Sequence, residues 1–153
     1  MSERHRSIVD VSLILWRDGR VLMLRRANAS FANDMLCFPS GHLERDETVV
    51  EAMVREAGEE IGVRVDPAAL RLAHVVHHTD EGVRGAGDRV GFFFEVDFEI
   101  DAVDGEPVNA EPHKHSELVW VDPHDLPADV VPYQAAGLLG HLDGTNLTLH
   151  GWD

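Results

Sequence analysis

GHLERDETVVEAMVREAGEEIGV fills positions 41 to 63, and its periodicity decides how the rest of the chain is read. Between Thr48 and Ile61, Val50, Val54, Ala57 and Ile61 recur at three- and four-residue steps, which predicts an amphipathic helix with one apolar stripe. Both ends carry their own signals. Thr48 and Glu51 make a capping box, hydroxyl to the N3 amide and carboxylate back to the N-cap, and Gly62 stands where a left-handed C-terminal stop belongs. At about 100° per residue, Glu56, Glu59 and Glu60 fall in a single narrow arc beside the apolar stripe. Like charges at this spacing cost a helix roughly 0.2–0.5 kcal/mol per pair, and the C-terminal end of the helix dipole disfavours anions further. A positive charge is therefore expected nearby. A solvated acidic face is the plainer alternative, and the helix by itself leaves both open.

On the N-terminal side, the β-branched and aliphatic run at 8–16, the Arg-Asp-Gly-Arg turn at 17–20 and the apolar run Val21 to Leu24 read as a β-hairpin. A polar segment, Arg25 to Asp34, leads to Met35 to Phe38 and a break at Pro39. On the C-terminal side, strands are expected at about Leu70 to His77, Val90 to Ile100 and Leu118 to Val121, with a final helix near Val131 to Leu142. Gly82, Gly85 and Gly87 lie in a loop that lacks the strand-loop-helix order and the Lys-Ser/Thr ending of a phosphate-binding motif, so a hairpin loop is expected there. The sequence shows no internal repeat, linker or low-complexity tract.

A chain of 153 residues with 44% hydrophobic content is expected to be folded throughout as one domain, 1–153. Its 28 acidic and 13 basic residues give a formal net charge of -15, so the average surface repels polyanions and long nucleic acid is not an expected partner. A small nucleotide is not excluded, because a divalent cation or a local Arg or Lys cluster outweighs the mean charge. Cys37 is the single cysteine; it rules out an internal disulfide framework and a cysteine zinc cluster, fits a reducing compartment, and reads as a small buried hydrophobe. The polar start, Met-Ser-Glu-Arg-His-Arg, has no apolar h-region behind it, and Val11 to Trp16 is only strand-sized, so a cytoplasmic protein without a membrane partner is expected. The ten histidines include His77-His78 and His113/His115, but no matching second pair at zinc spacing; hydrogen-bonded or solvated imidazoles are expected.

Gly41, Glu47, Arg55, Glu56, Glu59, Glu60 and Gly62 stand in the order Gly-x5-Glu-x7-Arg-Glu-Ala-x-Glu-Glu-x-Gly-Val. This pattern resembles the box of the Nudix hydrolase family at every charged and glycine position. The resemblance implies an α/β fold, an α/β/α sandwich with a mixed sheet and a loop-helix-loop metal site. It implies a pyrophosphohydrolase cutting the diphosphate linkage of a nucleotide-like substrate, with Mg2+ or Mn2+ held by Glu56, Glu59, Glu60 and the Gly41 carbonyl, hard oxygen donors that suit such ions. Arg55 would pair with Glu47 and orient the acids as support. Glu59, Glu111 and Glu117 are the candidates for the general base. Glu111 is favoured, because Asn109-Ala-Glu-Pro-His-Lys114 resembles a segment of some Nudix nucleoside triphosphate hydrolases. Arg26, Arg89 and Lys114 are candidates to meet phosphates, and Phe31 or Phe94 to stack on a base, each weighed against an ordinary surface charge or core aromatic.

The pattern departs from the family at three places. Ser40 stands where a glycine is common and would be strained if that position needs positive φ. Ala57 replaces a bulkier aliphatic, and Gly58 costs about 1 kcal/mol of helix propensity. The segment His77, His78, Thr79, Asp80 lacks the Pro or Tyr that family members acting on ADP-ribose or dinucleoside polyphosphates tend to carry. The expected substrate is therefore a (deoxy)nucleoside triphosphate, normal or oxidised, giving monophosphate and pyrophosphate. ADP-ribose or a nucleotide sugar is the alternative; a non-catalytic nucleotide-sensing module is a further one, although no acid of the box is lost. RNA decapping is argued against by the net charge, and a homodimer is left open.

Overall fold

The first apolar run forms β1 (Ile8–Arg17), and the chain returns antiparallel as β2 (Arg20–Arg26). Asp18 and Gly19 sit at φ 52 and 74, the left-handed pair that a tight two-residue hairpin requires, which explains the Asp-Gly between the runs. The computed structural model describes residues 3–79, 84–101 and 103–153. After β2 come two short strands, β3 (Leu36–Cys37) and β4 (Ser40–His42), and then α1 (Val49–Ile61). Next are β5 (Arg64–Val65), β6 (Arg71–Thr79), β7 (Asp88–Asp97), β8 (Val103–Asp104) and β9 (His115–Val121). α2 (Pro132–Leu142) and β10 (Leu147–His150) follow.

The large sheet runs β10-β6-β7-β1-β2-β3, with β4 also on β1 and β9 on β2, while β5 and β8 pair separately. It is mixed, as expected: β1 lies parallel to β7 and β10 parallel to β6, and the other pairs in it are antiparallel. Strand alternation sorts the core into two layers. Val11, Leu13, Leu15, Leu22, Leu24, Phe94 and Val96 meet Ala52, Met53, Ala57 and Ile61 of α1. Ile14, Val21, Met23, Val76 and Phe93 meet Leu138 of α2 on the other side. The result is the helix-sheet-helix sandwich.

Several elements differ from the sequence reading. β7 ends at Asp97 rather than at 100, because the Asp97 carboxylate accepts the amides of Glu99 and Ile100 and turns the chain, leaving Ile100 exposed. The helix 132–142 begins one residue later than expected: Val131 is its N-cap, with proline in the first turn. β4, β5, β8 and β10 run two to four residues, too short for a periodicity to show. Gly82 and Asp80 lie outside the described residues; Gly85 and Gly87 take the left-handed backbone of a turn. Among the described residues no helix is long and apolar enough to cross a membrane.

Gly137 lets α2 approach the sheet. A Cβ there would lie 2.7 to 3.0 Å from three atoms of the Phe93 ring, which is itself buried and set edge-on to Phe38 and Tyr133. Gly137→Ala should therefore destabilise the fold by about 1–3 kcal/mol through overpacking, read as a lower urea midpoint at unchanged slope. An unaltered midpoint would show that this contact does not limit the packing.

Candidate active site

α1 is fixed at both ends by its own sequence. The Thr48 hydroxyl accepts the Glu51 amide at 3.1 Å and the Glu51 carboxylate accepts the Thr48 amide at 2.9 Å. Gly62 closes the helix at φ 69. The buried face, however, is rotated from the predicted stripe: Ala52, Met53, Ala57 and Ile61 are buried, Val50 and Val54 only half-buried. Glu56 and Glu60 thereby enter the buried face at 9% and 8% exposure. The plainer alternative, three acids on a solvated face, does not hold for these two; Glu59 stays half-exposed.

The acids meet β4. A Cβ on Gly41 would collide with the Glu56 carboxyl group, so this glycine is required for close approach and not for an unusual φ. The Ser40 amide donates to Glu60 Oε2 at 3.2 Å. Ser40 is absent from the residues at positive φ, so serine carries no strain there.

Arg55 supplies the positive charge that the acidic arc demands. Its Nε and Nη2 donate to the two Glu47 oxygens at 3.1 and 2.8 Å, Nη2 also to the His42 carbonyl at 3.1 Å, and Nη1 to Glu56 at 2.8 Å and Glu59 at 3.3 Å. Arg55, with the Glu44 amide, holds the Glu47 carboxyl below its ordinary pKa. Burial raises Glu56, against the pull of Arg55, with Glu59 adding repulsion. Glu60 is pushed up to about 9, first by burial and then by Glu56, with Glu111 adding and the Ser40 amide opposing. Among the described residues no three acidic, histidine or cysteine side chains stand gathered in ligating geometry, and Arg55 lies between Glu56 and Glu59. The donor set nevertheless fits a hard divalent cation: it is all oxygen, the side chain missing at Gly41 leaves a cradle, and an acid whose pKa is raised by a neighbouring acid is relieved by positive charge.

The segment after β8 is tied to the end of α1, the Val108 and Ala110 amides donating to the carbonyls of Ile61 and Glu60. This sets Glu111 close enough to raise the Glu60 pKa, with Lys114 Nζ 3.4 Å from the Glu111 carboxylate. Glu117 is placed elsewhere. It pairs with Arg25 at 2.7 Å, and strand alternation puts it with Val119 and Val121, on the α2 side of the sheet. Phe94 is 4% exposed in the core beneath α1, which leaves it no open face for stacking.

Arg26, Phe31 and Arg89 do come together, with Gly41, around a cleft of about 690 Å³ that is also lined by Asp10, His42, His78 and Tyr133. Phe31 is 56% exposed, and Arg26 donates to its carbonyl at 3.0 Å. Lys114 does not line this cleft. Asp10, His78 and Tyr133 are additions to the sequence reading; an acid inside the apolar run Ile8 to Trp16 was the one signal available. A second hollow of about 600 Å³, between Val54, Val65 and Val103, holds none of the box acids.

The chain matches the NUDIX domain family model over residues 5–139. It is 32% identical over 121 residues to an ADP-ribose pyrophosphatase of Methanocaldococcus jannaschii, spanning 78% of this chain and 64% of that protein. It is 29% identical over 126 residues to a CTP pyrophosphohydrolase of Escherichia coli, spanning 78% of this chain and 84% of the relative. The crystal structure of a MutT NUDIX hydrolase from Burkholderia pseudomallei superposes with a TM-score of 0.75 at 27% identity, over 88% of this chain and 98% of the other. Fold, box and relatives together define the class, hydrolases acting on phosphoanhydride bonds. The chain belongs to the Nudix family.

The raised Glu60 pKa fixes the sign of a pH effect. A carboxyl whose pKa goes from 4.5 to about 9 on folding binds more protons in the folded state, so the stability it contributes is present below 4.5 and is lost as the pH rises towards about 9. In chelator, Glu60→Gln should therefore gain on the natural protein in melting temperature progressively across that window. Parallel pH profiles for the two would disprove the burial argument.

Proposed function

We propose that the chain hydrolyses a (deoxy)nucleoside triphosphate to the monophosphate and pyrophosphate. The observation that carries this is the approach of Glu56 and Glu60 to the glycine strand, beside a cleft to which Arg26 and Arg89 both contribute. Glu56, Glu59 and Glu60, with the Gly41 carbonyl, are the groups to hold Mg2+ or Mn2+. Such an ion supplies charge neutralisation and Lewis-acid polarisation of the phosphoryl group. The chain's own residues do the rest. Arg26 and Arg89 offset phosphate charge, and the exposed Phe31 ring offers a face to a base. Arg55, clamped by Glu47, keeps the acids at their spacing.

Glu111 is the base we assign to take a proton from the attacking water as the phosphorus–oxygen bond to the leaving group breaks. Its side chain is one-fifth exposed and lies within electrostatic reach of Glu60; Glu59, the other acid on the open side of α1, is the second candidate. Glu117 faces away across the sheet. A second reading, ADP-ribose as substrate, is favoured by the Methanocaldococcus jannaschii relative, and the triphosphate reading by the Escherichia coli one.

A panel of normal and oxidised (deoxy)nucleoside triphosphates, ADP-ribose, nucleotide sugars and dinucleoside polyphosphates, with products identified by mass, separates the two. Glu59→Gln and Glu60→Gln should abolish divalent-ion-dependent turnover without unfolding the protein. Glu111→Gln should lower kcat by roughly 10²- to 10⁴-fold, whereas Glu117→Gln should not. Full activity of both Glu59→Gln and Glu60→Gln would defeat the proposal.

A further inference from the structure

The inner wall of the cleft holds hydrogen-bonding groups that the hydrolysis itself does not use. Asp10, on β1, is 5% exposed. Its Oδ1 is bonded to His42 Nδ1 at 2.6 Å, and both its oxygens are met by Arg89 Nη1 only at 3.4 Å. A carboxylate accepts about four hydrogen bonds, so Asp10 has capacity to spare, above all at Oδ2. His78, on β6, is also 5% exposed, its ring stacked on Tyr133 at 4.1 Å between centroids and 12° between planes. Its Nε2 is buried and has no hydrogen-bond partner among the described residues.

The state of that nitrogen follows from its surroundings. Burial lowers the His78 pKa, and the ring bonds to the backbone of Thr79. Since Nε2 has no partner, this bond belongs to Nδ1, which donates to the carbonyl; in a neutral imidazole that leaves Nε2 as an acceptor. A buried acceptor without a donor is unfavourable, and water does not reach this one. A half-turn of the ring about Cβ–Cγ would keep the stack on Tyr133 and exchange the Thr79 bond for one from a ligand seated in the cleft. Asp10 and His78 are close enough to act on each other electrostatically, and both are acceptors.

We propose that Asp10 and His78 form an acceptor pair that selects nucleobases presenting an amino group on the edge that enters the cleft. The proposal rests on the nucleotide-hydrolase reading and adds the class of base. Arg89 lies against the Asp10 carboxylate and helps to hold it in place, and the stack on Tyr133 fixes the plane of the His78 ring. A base that brings a carbonyl in place of the amino group meets two acceptors with a third, and loses its place in the cleft.

The test compares cytidine with uridine triphosphate, in which a carbonyl replaces the amino group, and guanosine with inosine triphosphate, in which hydrogen does. A hydrogen bond to a charged group contributes about 1.5–3 kcal/mol, so the natural protein should favour the amino-bearing member of each pair by roughly tenfold or more in kcat/KM, mostly through KM. His78→Phe keeps the stack and removes the acceptor, and Asp10→Asn replaces one acceptor oxygen with a donor; each should bring the ratio towards one. Equilibrium binding of the α,β-methylene analogues, measured with Mg2+ present, should show the same preference and the same loss. A ratio near one in the natural protein, or an unchanged ratio in both variants, overturns the proposal. If Asp10→Asn fails to fold, His78→Phe decides alone. Binding with the preference but without turnover would sink the hydrolase reading and support the base selection; turnover without preference would do the reverse.

Discussion

Arg55 is the point on which the site's geometry rests. One guanidinium joins the loop acid Glu47, the β4 carbonyl of His42 and two acids of α1, so loop, strand and helix keep one relative position. Its side chain is 23% exposed and that of Glu47 14%, and removing one partner of so enclosed a pair strands the other's charge, which costs far more than the intact pair contributes. The arrangement is thus a poor source of net stability and an effective means of fixing positions. The helix sets the arc of the three acids, and Arg55 ties the Glu59 carboxylate to that of Glu56.

The two faces of the sheet carry different groups. The α1 face carries the box acids, and the segment of Glu111 is tied to its C-terminal end. The α2 face carries an apolar layer, with Gly137 setting how closely the helix lies on Phe93, and among it the buried polar groups Ser12, His74 and Gln134. The cleft opens where β1, β4, β6 and β7 reach the start of α2, so its wall is assembled from Asp10, Gly41, His78, Arg89 and Tyr133, far apart in sequence. A net charge of -15 coexists with a nucleotide-sized cleft because Arg26 and Arg89 are local to it.

Much of α1 is legible in the sequence because its instructions are local. Thr48, Glu51 and Gly62 set its ends, and the spacing of Glu56, Glu59 and Glu60 sets its acidic arc. Its rotation on the sheet was not legible: Val50 and Val54 are as apolar as Met53, and only the close approach allowed by Gly41 turns Glu56 and Glu60 inward. Phe94 and Glu117 show the same limit in strands. Alternation tells which residues share a face, but not which face meets the helix that carries the chemistry. Neither the strand β10 nor the meeting of Asp10 and His78 at one cleft has a local signature, since both depend on distant segments coming together.

The crowding of Glu56 and Glu60 has a consequence for how a divalent ion is taken up. Two carboxyl groups that hold a proton between them near neutrality must give it up to become ligands, so loading the ion is an exchange of one cation for another. Apparent affinity should rise with pH and level off once the proton is gone, and the heat of association should carry the ionisation enthalpy of whichever buffer collects the released proton.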